Sequence, residues 1–207
     1  MNSFEIPDVG ILVTESVPDD LTDDLRHDLE RAGLRVLYDR RDESPFAAME
    51  WVIPTLIVLA FSRKLFDAFL GELGKDLYAL VKKRVVRMVE RTSGPNAELK
   101  VTYIVSASSP KKLSGRAPAV VSIIAILSDG QQRVRFFFRT DSSANLPSQA
   151  VDSMMDLLAS HYSGSKDDRL AQLVAVGPVL WGVLPLVFDA ETRAWRGLTE
   201  SEVRGDA

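Results

Sequence analysis

The sequence predicts a three-layer α/β domain that begins with parallel strands and is extended by antiparallel strands and a further helix. Apolar runs at residues 9–14 and 34–38 flank a helical periodicity, and a third run follows at 55–61. Further on, Asp129-Gly130 separates two β-rich runs, and a second helical pattern occupies residues 148–161. The first group implies parallel pairing through right-handed crossovers. The second implies an antiparallel hairpin and a helix after it.

In chain order, Val9, Ile11, Leu12 and Val13 make a first buried strand, and Glu15, Ser16, Pro18, Asp19 and Asp20 a polar loop behind it. The two aspartates open a helix, Leu21, Leu25 and Leu29 recur at the spacing of one helical face, and Gly33 stands where that helix stops. Residues 34–38 return as a strand. Residues 46–52 have room for only a short helix before Pro54, so the link into the third strand is tighter than a full crossover. That strand, 55–61, is uncharged and apolar, as burial on both faces of a parallel sheet requires. One long helix is expected next, with Leu65, Phe69, Leu73, Leu77, Leu80, Val81 and Val85 on its packed stripe and Lys75, Lys82, Lys83 and Arg87 mainly off it.

Thr92, Ser93, Gly94, Pro95 and Asn96 are consecutive turn formers and the best internal boundary. Residues 1–92 form an α/β half, and residues 93–207 an extension packed with it as one domain. In the extension, 101–106 reads as a strand and 108–118 as a loop. On the second hairpin strand Val134, Phe136 and Phe138 share one face, and Arg133, Arg135, Phe137 and Arg139 the other. Val151, Met154, Met155 and Leu158 line the helix at 148–161, and residues 184–198 fold as a second hairpin with Trp195 on its return strand. Residues 170–188 are uncharged over about the length of a membrane span. Gly177, Pro178, Gly182 and Pro185 interrupt them, which favours short buried segments, or an interface, over a membrane role.

Composition narrows the function classes. Twenty-five basic against 29 acidic side chains give a net charge of -4, the wrong sign for broad attraction to nucleic acid. The chain has no Cys and 2 His, His27 and His161, which excludes disulfides, thiolate nucleophiles, thiolate zinc sites and a histidine-rich metal centre. No Gly-rich phosphate loop, Gly-x-Ser-x-Gly elbow or His-based nucleophile arrangement is legible. The first ten residues lack the basic start and apolar core of a secretory signal. A cytoplasmic protein without metal or cofactor is the expectation.

Residues 34–77 hold the densest chemistry. A strand ends in Tyr38-Asp39-Arg40-Arg41-Asp42, Glu43-Ser44-Pro45 follow, the next strand ends at Ser62, and Glu72 comes later on the helical pattern. This order resembles the Toll/interleukin-1 receptor (TIR) domain over about residues 9–91. The resemblance implies a TIR-like or flavodoxin-like strand order and a signalling or defence module that self-associates or binds a protein partner. In TIR domains that hydrolyse NAD to nicotinamide and ADP-ribose, the Glu of that helix faces the ribose, so the resemblance makes Glu72 the catalytic carboxylate and NAD the substrate. Negative charge there stabilises the positive charge that builds on the ribose carbon as the nicotinamide bond breaks. The same resemblance puts Ser16, Arg40, Asp42 and Ser62 at the nucleotide. The chain departs from the family pattern at Thr14-Glu15-Ser16, where an aromatic-rich Ser/Tyr motif is usual, and at Phe69-Leu70, where a Trp often precedes the Glu.

Each of these residues also has a purely structural reading. Glu72 lies three residues before Lys75 and suits a helix-surface pair worth a few tenths of a kcal/mol. Gly71 and Gly74, each costing about 1 kcal/mol inside a helix, signal close approach by backbone or ligand, or a delayed helix start. Ser62 suits an N-cap, and Arg40, Arg41 and Asp42 suit an internal ion pair or a solvated loop. Arg133, Arg135, Phe137 and Arg139 read as a solvated hairpin face. Two other functions stay open: a noncatalytic adaptor or sensor, and a small-molecule (nucleotide) binding subunit using the carboxyl edge of the sheet. Enzyme and adaptor differ in whether Ser16, Arg40, Ser62 and Glu72 converge on one cavity.

Overall fold

The computed structural model describes residues 7–41, 55–71, 74–93, 97–99, 119–128, 130–139, 146–179, 182–199 and 202. The strand expected at 101–106, the loop at 108–118, the short helix at 46–52, and both Asp42 and Glu72 lie outside the described residues. Among the described residues seven strands form one sheet: β1 (Val9–Thr14), β2 (Val36–Arg41), β3 (Ile57–Phe61), β4 (Ala119–Ile126), β5 (Arg133–Arg139), β6 (Val183–Asp189) and β7 (Ala194–Gly197). Their order across the sheet is β2-β1-β3-β4-β5-β6-β7. The helices are α1 (Asp23–Arg31), entered through a 3-10 turn at Asp19–Leu21, α2 (Arg63–Phe69), α3 (Gly74–Thr92), α4 (Leu146–Tyr162) and α5 (Arg169–Val176). The fold is α/β, as the sequence predicts.

The opening β1-α1-β2 unit is parallel, with Val9 beside Val36 and Thr14 beside Arg41. Leu25 and Leu29 carry the buried face of α1. Gly33, at φ 79°, takes the left-handed turn that ends it, and the Leu34 N–H donates back to the Leu29 carbonyl at 3.1 Å.

The third strand departs from the expected parallel start. β3 occupies the position next to β1 but runs antiparallel to it, pairing Val9 with Phe61 and Val13 with Ile57. β2 ends beside Thr14 and β3 begins beside Val13, at the same edge of the sheet, so β3 runs back against both β1 and β2. Directions then alternate in pairs: β3–β4 and β5–β6 are parallel, β4–β5 and β6–β7 antiparallel. β1, β2, β5 and β6 therefore point to one edge, which we call the upper edge, and β3, β4 and β7 to the lower.

Layering differs as well. The described helices pack side by side, α1 and α2 on α3, α3 on α4 and α4 on α5, and cover a single face of the sheet. That face presents Val9, Ile11, Ile57, Leu59, Ile123, Phe136, Leu186 and Trp195, all buried in one core. Trp195 stands among Phe136, Phe138 and Phe188 in edge-to-face contact and donates its indole N–H to the Ala150 carbonyl of α4 at 3.2 Å. The described helices thus make one layer where two were expected. The opposite face, helix-free among the described residues, carries Leu12, Val58, Ser122, Ile124, Arg135, Phe137 and Val187, as the register requires.

The expected single long helix is two helices. α2 ends at Phe69 and α3 restarts at Gly74. A Cβ on Gly74 would stand 1.8 Å from the Phe69 carbonyl oxygen, so this glycine lets the end of α2 touch the start of α3. Of the two readings of the glycines, close backbone approach with a delayed helix start is the one the structure displays. α3 then locks to α1 and to the 3-10 turn before it: the Arg84 guanidinium reaches Asp24 at 2.6 Å and Asp28 at 2.7 Å in α1, and Arg91 reaches Asp20 in the turn at 2.7 Å.

Within residues 170–188, 170–176 belong to α5 and 183–188 to β6, and among the described residues no helix is long and apolar enough to cross a membrane.

Candidate functional site

Ser16 and Arg40 meet at the upper edge. The Arg40 guanidinium donates to the Glu15 carbonyl at 3.2 Å, the Val17 carbonyl at 3.3 Å and the Tyr38 hydroxyl at 3.2 Å, and pairs with Asp19. Its hydrogen bond to Tyr38, ahead of the Asp19 charge, holds its pKa above the ordinary value. Arg40 therefore clamps the loop that carries Ser16, whose Oγ lies 3.2 Å from Thr14 Oγ1. The internal ion pair weighed for this arginine is present.

Ser62 is elsewhere. Because β3 is reversed, Ser62 sits at the lower edge, where its N–H donates to the Asp8 carbonyl at 3.1 Å. β1 spans 6 residues, so at about 3.3 Å per residue the two edges are roughly 17 Å apart. Ser62 occupies the N-cap position of α2, but its side chain makes no cap hydrogen bond, and its buried Oγ has no partner among the described residues. The structure brings Ser16 and Arg40 together and separates them from Ser62; Asp42 and Glu72 lie outside the described residues.

A cavity of about 380 Å³ opens at the upper edge, at the other side of the sheet. It lies where the neighbouring parallel strands β5 and β6 end and α4 begins. Val89, Phe138, Pro147, Ala150 and Val187 make its apolar wall, and Arg139, Asp189, Glu191 and Arg196 its polar rim. The carboxyl ends of adjacent parallel strands are where open α/β sheets take ligands, and the volume suits a small organic molecule. The rim is ordered. Asp189 Oδ1 accepts the Glu191 and Thr192 N–H groups at 2.8 and 3.1 Å; these amides, Thr192 first, hold its pKa below the usual carboxylate value. Arg196 grips Glu202 through two bonds of 2.7 and 3.0 Å, and that pairing draws the Glu202 carboxyl down to about 2.

Beside the cavity, the helix-free face holds a cation that the hairpin pattern presents as solvated. Arg135 is part-buried; its Nε donates to Ser122 Oγ at 3.0 Å and its Nη2 to Thr55 Oγ1 at 2.5 Å. Its guanidinium carbon lies 4.8 Å from the centre of the Phe137 ring, which also lines the cavity. Burial lowers its pKa to about 10. A signal for this was available in Ser122, a lone hydroxyl inside the apolar run of β4, because a hydroxyl at a fully buried position needs a partner.

At the lower edge, His161 joins two segments far apart in sequence. Its Nδ1 lies 2.7 Å from Asp168 Oδ2, and its Nε2 lies 3.1 Å from Ser128 Oγ and 3.2 Å from the Ser128 N–H. The connectivity is that of a Ser–His–Asp relay, which sequence spacing alone did not bring together. In a working relay the main-chain N–H of the serine faces the developing oxyanion. Here it points at the imidazole, so His161 acts as an acceptor that ties the β4–β5 turn to the start of α5.

Compared with family models, curated proteins and solved structures, the chain matches none.

Proposed function

We propose that the protein is a noncatalytic ligand-binding module that takes a small amphipathic molecule, of the nucleotide or aromatic-acid kind, in the cavity above β5 and β6. The observation that carries this is the position of the cavity at the carboxyl ends of two adjacent parallel strands, with an apolar wall for a flat body and a charged rim for a polar end. The cysteine-free composition suits a cytoplasmic setting. TIR-like signalling with cleavage of NAD is the competing reading. It rests on Glu72, and Ser62 at the lower edge removes one group from the nucleotide site it needs.

A second function is favoured by a separate observation. Val176 and Val179, at the end of α5 and just beyond it, are 84% and 55% exposed, and Val176 lines a groove of about 320 Å³ between α4, α5 and β7. We propose self-association through this surface, with Val176→Glu dissociating the assembly in sedimentation velocity. A parent protein that sediments as a monomer at high concentration would sink that part.

The ligand reading is tested by calorimetric titration with ATP, ADP-ribose, NAD and indole-3-acetate, set beside an Ala190→Trp variant. Ala190 is exposed and lines the cavity, so the indole fills it without entering the core. Saturable binding lost in the variant is expected; binding unchanged in the variant would overturn the assignment. Nicotinamide release from NAD that disappears in Glu72→Gln would restore the enzymatic reading.

A further inference from the structure

On the helix-free face, β5 places Arg135 where no carboxylate meets it among the described residues. The two hydroxyls that accept from it lie next to each other, with Ser122 Oγ 3.5 Å from Thr55 Oγ1. They therefore fill the side-on edge of the guanidinium, formed by Nε and Nη2, with neutral acceptors. The Phe137 ring backs one flat side. Burial is the cause that lowers its pKa to about 10, so the group stays a cation at neutral pH. A cation removed from water without an anion is costly, and two hydroxyls and an aromatic face offset only part of that cost. What is left without a partner among the described residues is the end-on edge, one N–H from each terminal nitrogen, the fork that grips two oxygens of a carboxylate or phosphate.

We propose that Arg135 is the receptor for the carboxylate or phosphate group of a small soluble molecule, bound end-on at the helix-free face. Ser122 and Thr55 fix the guanidinium so that its fork is set before the anion arrives, and Phe137 holds its plane. This site stands apart from the cavity reading; Phe137 is common to both. If the arginine served only to tie β3 to β4 and β5 through its two hydroxyls, it would bind no anion, and losing it would weaken the sheet.

The test is thermal unfolding at constant ionic strength in chloride, inorganic phosphate or citrate. The expected result is a saturable rise in the midpoint with phosphate or citrate over chloride; the stronger of the two names the source of the oxygens. Arg135→Met is expected to abolish the rise while its midpoint in chloride equals or exceeds that of the parent. Arg135→Lys, which keeps the charge without the fork, should bind at least ten-fold more weakly and decides the matter if the Met variant does not fold. Ala190→Trp should retain the full response, which separates this site from the cavity. Phosphate and citrate acting no differently from chloride, or Arg135→Lys titrating like the parent, would overturn the proposal.

Discussion

Phe61, the last residue of β3, stands opposite Val9, the first residue of β1. This one antiparallel pair sends Ser62 to the lower edge while Ser16 and Arg40 stay at the upper, and it decides which side chains share a site. The chain has no cysteine, so labels at Ser16→Cys and Arg63→Cys would be the only ones attached. Pulsed EPR should give a distance consistent with a backbone separation of roughly 17 Å or more, from the strand rise. A short distance with the two labels adjacent would mean that β3 runs parallel to β1.

Gly74 is required by contact. A methyl group there meets the carbonyl of Phe69 at a distance no side-chain rotation relieves. Gly74→Ala should cost about 2 kcal/mol or more in urea unfolding, against a gain expected for Gly→Ala in an open helix. A neutral or stabilising result would show that α2 and α3 do not abut.

The Arg196–Glu202 pair sets an acid limb. Glu202 has its folded pKa lowered from 4.5 to about 2, so the stability it adds is present above its unfolded pKa and is lost as pH falls toward 2. Allowing for solvent screening of a partly exposed pair, the contribution is about 1 kcal/mol. Glu202→Gln should be less stable than the parent at pH 7 and equal to it near pH 2. Parallel stability curves across that window would refute the coupling.

Asp168 serves two segments, accepting the Ala171 N–H at 3.0 Å as the N-cap of α5 and holding His161 at 2.7 Å. Asp168→Ala should cost about 1–2 kcal/mol, the usual loss of a cap with a second hydrogen bond. Because the Ser128 N–H is turned to the imidazole, a fluorophosphonate probe should leave Ser128 unlabelled. Labelling that requires His161 would turn this structural tie into an acyl-transfer site.

Much of the secondary structure was legible because it depends on local pattern. Leu25 and Leu29 at helical spacing, Gly33 at the stop and the hairpin around Asp129-Gly130 each specify their own segment. The direction of β3 was not, since an apolar run reads the same in either direction and only the short link before it hinted at a turn. The break at Gly74 was half visible: the glycines stood out, but the stripe through Leu65, Phe69, Leu77 and Val81 continues across both helices. Arg135 was misread because period-two alternation assigns a face and cannot say whether water reaches it. Ser128, His161 and Asp168 were hidden for a different reason, as their meeting depends on where the β4–β5 turn lies against the end of α4.

The strand order has a consequence for synthesis. From β4 onward, every described strand pairs with the one before it in sequence, so the sheet can lengthen by one strand at a time as the chain emerges; the β4–β5 and β6–β7 hairpins close contacts of short sequence span, whereas β4 and β6 must wait for the long connections before them. Among the described residues the sheet ends at β2 and β7, and both margins are suited to an edge. β2 presents Asp39, Arg40 and Arg41, and β7 offers only 4 residues, one of them Arg196. Charged or abbreviated borders of this kind discourage a stray strand from another molecule, so the nascent sheet is exposed to misaddition during elongation and guarded against it once β7 is laid down.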